Sequence, residues 1–115
     1  MAYRKYSNVR TQVDGIAFPS KREAKRYGEL KLLERAGRIR NLQMQVKYPL
    51  VVNGIKVCTY IADFVYSEMQ PGFDGWANDE EALKVVEDCK GFRTATYRLK
   101  AKLLKACHGI TIRET

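Results

Sequence analysis

Residues 85–91 read VVEDCKG. Two valines open an apolar strand, and two acids, a cysteine, a lysine and a glycine close it. Ionised groups are costly to bury, so Glu87, Asp88 and Lys90 need partners. Side chains alternate along a strand, which places Val86, Asp88 and Lys90 on one face and Val85, Glu87 and Cys89 on the other. Asp88 and Lys90 then lie ~7 Å apart and point the same way.

Working outward, LQMQVKYPLVV (42–52) and IKVCTYIADFVY (55–66) flank Asn53-Gly54. This is the pattern of two strands joined by a tight hairpin turn. Strict alternation puts Val57, Thr59, Ile61, Asp63 and Val65 on one face of the second strand, with Cys58, Tyr60, Ala62, Phe64 and Tyr66 on the other. Both faces are largely apolar, so the strand is expected to be central and covered. Asp63 is the anomaly, because acids between apolar neighbours in mid-strand are rare. If the registers align, its carboxylate meets that of Asp88. Two such groups repel unless a cation lies between them, and Mg²⁺ fits, since it takes one or two carboxylates and keeps water and phosphate oxygens in the rest of its shell.

The flanks complete the pattern. RTQVDGIAF (10–18) carries a hairpin turn at Asp14-Gly15. FPSKREAKRYGELKLLERAGRI (18–39) reads as a helix, with Ser20 as N-cap, Glu23 in capping-box position and Gly37 at the C-terminal end. Its apolar stripe is Ala24, Tyr27, Leu30 and Leu33, with Glu23 near the middle. SEMQPGFDGWANDEEAL (67–83) is a loop around Trp76. FRTATYRLKAKLLKACHG (92–109) is a second helix, capped by Thr94 or Thr96 and stopped by Gly109, with Tyr97, Leu99, Leu103, Leu104 and Ala106 apolar. Arg93, Arg98, Lys100, Lys102 and Lys105 make it strongly basic. ITIRE (110–114) closes as a short strand. The expected fold is α/β (α+β): an N-terminal hairpin, then an αβββαβ core with a mixed central sheet flanked by helices.

The 115 residues suit one domain, 1–115, in which residues 1–8 form either a flexible basic arm or a frayed terminus. There are 21 Lys+Arg against 13 Asp+Glu, a net charge of +8 that favours a polyanionic partner, nucleic acid first. No stretch approaches the ~20 apolar residues of a membrane span, and the N-terminus lacks the apolar core of a signal peptide. Cys58, Cys89 and Cys107 match no zinc or disulfide spacing and read as reduced thiols of a cytoplasmic protein.

Plainer readings compete. Asp88 and Lys90 can be a surface ion pair, and Glu23 only the partner of Ser20 in a capping box. Glu87 can be a third ligand, a salt-bridge partner or neither. His108 reads as a cap.

Three segments carry a resemblance: SKREAKRY (20–27), YIADFVY (60–66) and VVEDCKG (85–91). With the order of elements, they resemble the PD-(D/E)xK nuclease superfamily and, within it, a family of small phage and prophage endonucleases. The resemblance covers nearly the whole chain beyond residue 8. It implies a restriction-endonuclease-like core and a Mg²⁺-dependent DNA endonuclease, with Mn²⁺ able to substitute. Asp63, Asp88 and the backbone carbonyl of Cys89 would hold the metal. Lys90 would assist the attacking water and Glu23 would complete the site, with Gln45 and Glu87 lining it. Ala62 stands where the superfamily has its proline, a position that supplies no ligand. Relatives that resemble Holliday-junction resolvases imply branched DNA as substrate, a homodimer, and action in the host cytoplasm if the chain is phage-encoded. Arg93, Tyr97, Arg98 and Lys102 are the candidate DNA contacts. The alternatives are a DNA-binding module with this fold and no catalysis, and a basic adaptor for other proteins.

Overall fold

The computed structural model describes residues 11–69, 83–89 and 93–115. The basic arm, the loop around Trp76 and Lys90 lie outside these residues. The elements run β1 (Thr11–Val13), β2 (Ile16–Phe18), α1 (Lys21–Arg35), β3 (Ile39–Val52), β4 (Ile55–Glu68), β5 (Leu83–Asp88), α2 (Ala95–His108) and β6 (Arg113–Glu114). After the hairpin of β1 and β2 this is the αβββαβ order expected from sequence.

Turn and cap chemistry sets most boundaries. Asp14-Gly15 and Asn53-Gly54 all have positive φ, the geometry that a two-residue hairpin turn with right-handed twist requires. The Ser20 hydroxyl accepts the Glu23 N–H at 3.2 Å and caps α1. At the other end the Gly37 N–H donates to the Glu34 carbonyl and the Arg38 N–H to the Leu33 carbonyl, a Schellman closure around Gly37 at φ 76°. Ser20→Ala should therefore cost about 1 kcal/mol, read as a melting temperature lowered by roughly 4 °C. Thr94 caps α2 by accepting the Tyr97 N–H, and Gly109 ends it in the left-handed conformation.

The main sheet has the order β3-β4-β5-β6. The first three strands are antiparallel and β6 runs parallel to β5, so the sheet is mixed. Phe18, Ala24, Tyr27 and Leu30 pack with Ile39, Phe64, Tyr66 and Val85 on the α1 side. Tyr97 and Leu104 pack with Leu50, Tyr60, Ala62, Val65 and Val86 on the α2 side. The buried stripes are shorter than the helices. Leu33 on α1 is 36% exposed and Leu99 on α2 is 57% exposed, so both leave the apolar stripes read from sequence.

Strict alternation fails along β4. Tyr60 and Ala62 belong to the α2-side core, whereas Phe64 and Tyr66 belong to the α1-side core. Its partner β3 does the same: Val46 and Tyr48 pack on the α2 side, Leu42 and Met44 on the α1 side. The switch falls at Gln45 and Asp63, which would face each other but are missing from the ladder between Met44↔Phe64 and Val46↔Ala62. Gln45 has φ 53°, a left-handed conformation that rotates the next side chain to the opposite face. Asp63 therefore does not share a regular face with Ile61 and Val65. It sits at a kink, and that kink frees its side chain to turn toward the end of β5.

Candidate functional site

Two acids meet where β4 and β5 part. The ladder between these strands ends at Phe64↔Glu87, so Asp63 and Asp88 occupy the next rung. The backbone pairing stops there because side chains take over. The Cys89 N–H donates to Asp63 Oδ2 at 2.9 Å, and the Tyr60 hydroxyl donates to Asp88 Oδ2 at 2.7 Å. Asp88 is buried. Burial first, and then a hydrogen bond and repulsion from the Asp88 carboxyl, push the Asp63 carboxyl up to about 7, against the pull of the Cys89 N–H. The charge of Glu23 adds to the repulsion, so α1 brings a third carboxyl into the field of the pair.

Asp63 thus holds its proton more tightly folded, at about 7, than unfolded, at 3.8. The stability this gives is full below pH 3.8 and is lost as pH rises through 7. Thermal melts of the metal-free protein should fall over that window, and Asp63→Asn should flatten the profile. A profile as steep in the variant as in the parent would exclude Asp63 as its source.

Glu87 takes the plainer of its roles. Its side chain is fully buried on the α1 face, opposite Asp88, and binds the Arg26 guanidinium through two parallel bonds: Nε to Oε2 at 2.7 Å and Nη2 to Oε1 at 2.8 Å. The Tyr66 hydroxyl donates to Oε1 at 2.7 Å. With its acceptors so occupied, Glu87 is a buried salt-bridge partner. Arg26 lies three residues after Glu23 on α1, and Glu87 directly precedes Asp88 on β5. The pair therefore ties together the two elements that carry Glu23 and Asp88.

Gln45 is exposed and stands across from Asp63 at the kink. Cys89 follows β5 and is half-buried against the α1-side core. Burial pushes its thiol up to about 11, so the sulfur is no ready thiolate ligand. Its backbone is the part of the residue that reaches the acids. His108 lies away from them, with its Nε2 2.8 Å from the Pro49 carbonyl oxygen. Tyr60 is a site residue that the sequence does not signal. Its alternation with Ala62 marked it as core, and nothing local signals that its hydroxyl ends on Asp88.

The donor set suits a hard divalent ion. It offers carboxylate oxygens and no thiolate or imidazole, and Mg²⁺ needs only one or two such ligands. Among the described residues, no group of three or more His, Cys, Asp and Glu side chains is assembled closely enough to hold a metal ion by itself. Asp63 and Asp88 are the residues that could hold such an ion, with Glu23 near them.

The basic residues of α2 lie beside this cluster. Arg93, Tyr97, Arg98 and Lys102 line a groove of about 420 Å³ between α2 and residues 110–114. Tyr97 is buried at its base, and its hydroxyl is held neutral by burial, by a hydrogen bond to Glu114 and by the nearby Asp88 charge. No helix among the described residues is long and apolar enough to cross a membrane.

No curated protein and no solved structure gives a significant match to the chain. The pattern of one family, described as a protein of unknown function (DUF1064), matches residues 3–109. The match spans the hairpin, both helices and all three carboxylates of the cluster, and the chain belongs to the DUF1064 family.

Proposed function

We propose that the protein is a Mg²⁺-dependent DNA endonuclease that hydrolyses phosphodiester bonds. The reading is carried by one observation: just past the last rung of the β4–β5 ladder, Asp63 accepts the N–H of Cys89, the residue after the buried Asp88, so the two carboxyls meet at a sheet end with Glu23 in range. Two like charges in a half-buried place are unfavourable on their own, and a divalent ion between them removes the repulsion. The net charge of +8 supplies the affinity for a polyanion.

When bound, Mg²⁺ would activate water and stabilise the charge that develops on the phosphorus. The chain's residues have separate tasks. Asp63 and Asp88 hold the ion's place. The Tyr60 hydroxyl and the Cys89 N–H fix the two carboxylates in orientation. Lys90, assigned through the PD-(D/E)xK resemblance, positions or deprotonates the attacking water or stabilises the pentavalent phosphorus. Arg93, Arg98 and Lys102 contact phosphates, and a homodimer would give so small a domain a grip on a branched substrate.

The test is incubation with linear, single-stranded and four-way-junction DNA, in Mg²⁺, in Mn²⁺ and in EDTA. Cleavage is expected with either ion and not in EDTA, and the pattern over the three DNAs reads which structure is cut. Contact with about five phosphates predicts a slope of log K against log[salt] near −4.5. The second reading is a DNA-binding module without catalysis, favoured by the lack of a three-ligand group among the described residues. It predicts the same salt slope and intact DNA in every tube.

A further inference from the structure

We infer that the groove between α2 and residues 110–114 seats an unpaired nucleotide of the DNA, next to the carboxylate pair. This rests on the endonuclease reading above and adds the kind of DNA that it acts on.

The groove combines two chemistries. Its rim is cationic: Arg98, Lys102 and Lys105 line it, and none of the three has an ion-pair partner among the described residues. Its floor is apolar, made by Ala101, Ile110 and Ile112, all half-buried. Phosphates of a paired duplex would use the rim and leave the floor wet, because stacked bases show only their edges. An unpaired nucleotide uses both parts. Its phosphate meets the rim, and the flat face of its base covers the floor, as bases do on apolar platforms that bind single strands.

The position of the groove ties it to the acids. Glu114, at one end, is the rung partner of Asp88 in the parallel pairing of β5 with β6, and the Thr115 N–H donates to the Asp88 carbonyl at 3.0 Å. Arg93 bonds Glu114 at 2.7 Å and so neutralises the one acid that lines the groove among the described residues. From Tyr97 to Lys105 the helix rises about 12 Å, so the rim runs away from the acids for more than one nucleotide. A strand laid there has its backbone entering the site from the unpaired side.

The experiment measures binding of the full chain in EDTA, where no cleavage occurs. One probe is a blunt duplex. The other is the same duplex with a short single-stranded tail carrying 2-aminopurine. The tailed probe should bind about tenfold more tightly, the factor given by about 1.4 kcal/mol of base contact, with a change in 2-aminopurine fluorescence. Ala101→Gln, which puts a polar amide on the floor without changing the charge, should erase the preference and keep duplex affinity. Lys102→Glu, at an exposed position where folding is unaffected, should weaken both probes and reduce the salt slope by about 1. Equal affinity for the two probes, or a preference untouched by both substitutions, would overturn the proposal. Equal binding combined with Mg²⁺-dependent cleavage would sink the groove assignment and leave the nuclease reading standing. A tail preference without cleavage in any metal would do the reverse.

Discussion

Asp88→Asn is expected to lower Mg²⁺-dependent cleavage by a factor of about a hundred to a thousand, the scale on which removal of one charge-stabilising group acts. Asp63→Asn should do the same. Neither should weaken DNA binding in EDTA, because neither carboxyl group attracts a phosphate. The variants should also be at least as stable as the parent without metal. Asparagine keeps an oxygen to accept the Tyr60 hydroxyl, and losing one charge relieves the repulsion between the two acids. A structural residue behaves differently, since its loss lowers stability and activity together. Glu34→Gln, at an acid paired with Lys31 on the surface of α1, serves as the control and should cleave normally. Lys90→Ala extends the series to the lysine assigned by resemblance. Cleavage by either Asn variant at the parental rate would remove both acids from the chemistry.

Arg26→Ala should be the most destabilising single change, at about 3–5 kcal/mol, because it leaves Glu87 as an uncompensated buried charge. A typical domain has only about 5–15 kcal/mol in all, so the urea midpoint should fall steeply. The two partners are not equivalent. The Glu87 side chain is 0% exposed, whereas that of Arg26 is 22% exposed and also bonds Glu29 at 3.0 Å. Glu87→Gln should therefore cost much less, since Arg26 can turn to Glu29 and water while the amide still accepts from Tyr66. Arg26→Ala combined with Glu87→Gln should recover more than half of what Arg26→Ala alone loses, a coupling that a double-mutant cycle measures. A loss under about 1 kcal/mol for Arg26→Ala, the value of an exposed pair, would mean that water reaches Glu87.

The site was legible where its residues break a local rule. Asp63 interrupts an apolar strand, and Asp88 ends one, so both were visible without any contact being known. Glu23 was ambiguous, because its place after Ser20 has a local explanation that the structure retains, and its field at Asp63 is a matter of packing. Glu87 could not be resolved from sequence. An acid beside Asp88 has the same composition whether it faces a metal or an arginine, and the arginine is 61 residues away in the chain. Tyr60 gave no sign at all, since a tyrosine alternating with alanine is an ordinary core residue until its hydroxyl finds an acceptor.

Local interactions alone determined the elements and their order. Hairpin turns at Asp14-Gly15 and Asn53-Gly54, caps at Ser20 and Thr94 and stops at Gly37 and Gly109 act over a few residues, so they can be read along the chain. Which face a residue presents is different once a strand departs from its period. The left-handed backbone at Gln45 and the paired switch at Asp63 reverse the inward set of two strands at once. No local preference of glutamine or aspartate requires that reversal. It is decided by two cores on opposite sides of one sheet, each of which must be filled. The meeting of Asp63 with Asp88 is a consequence of that packing.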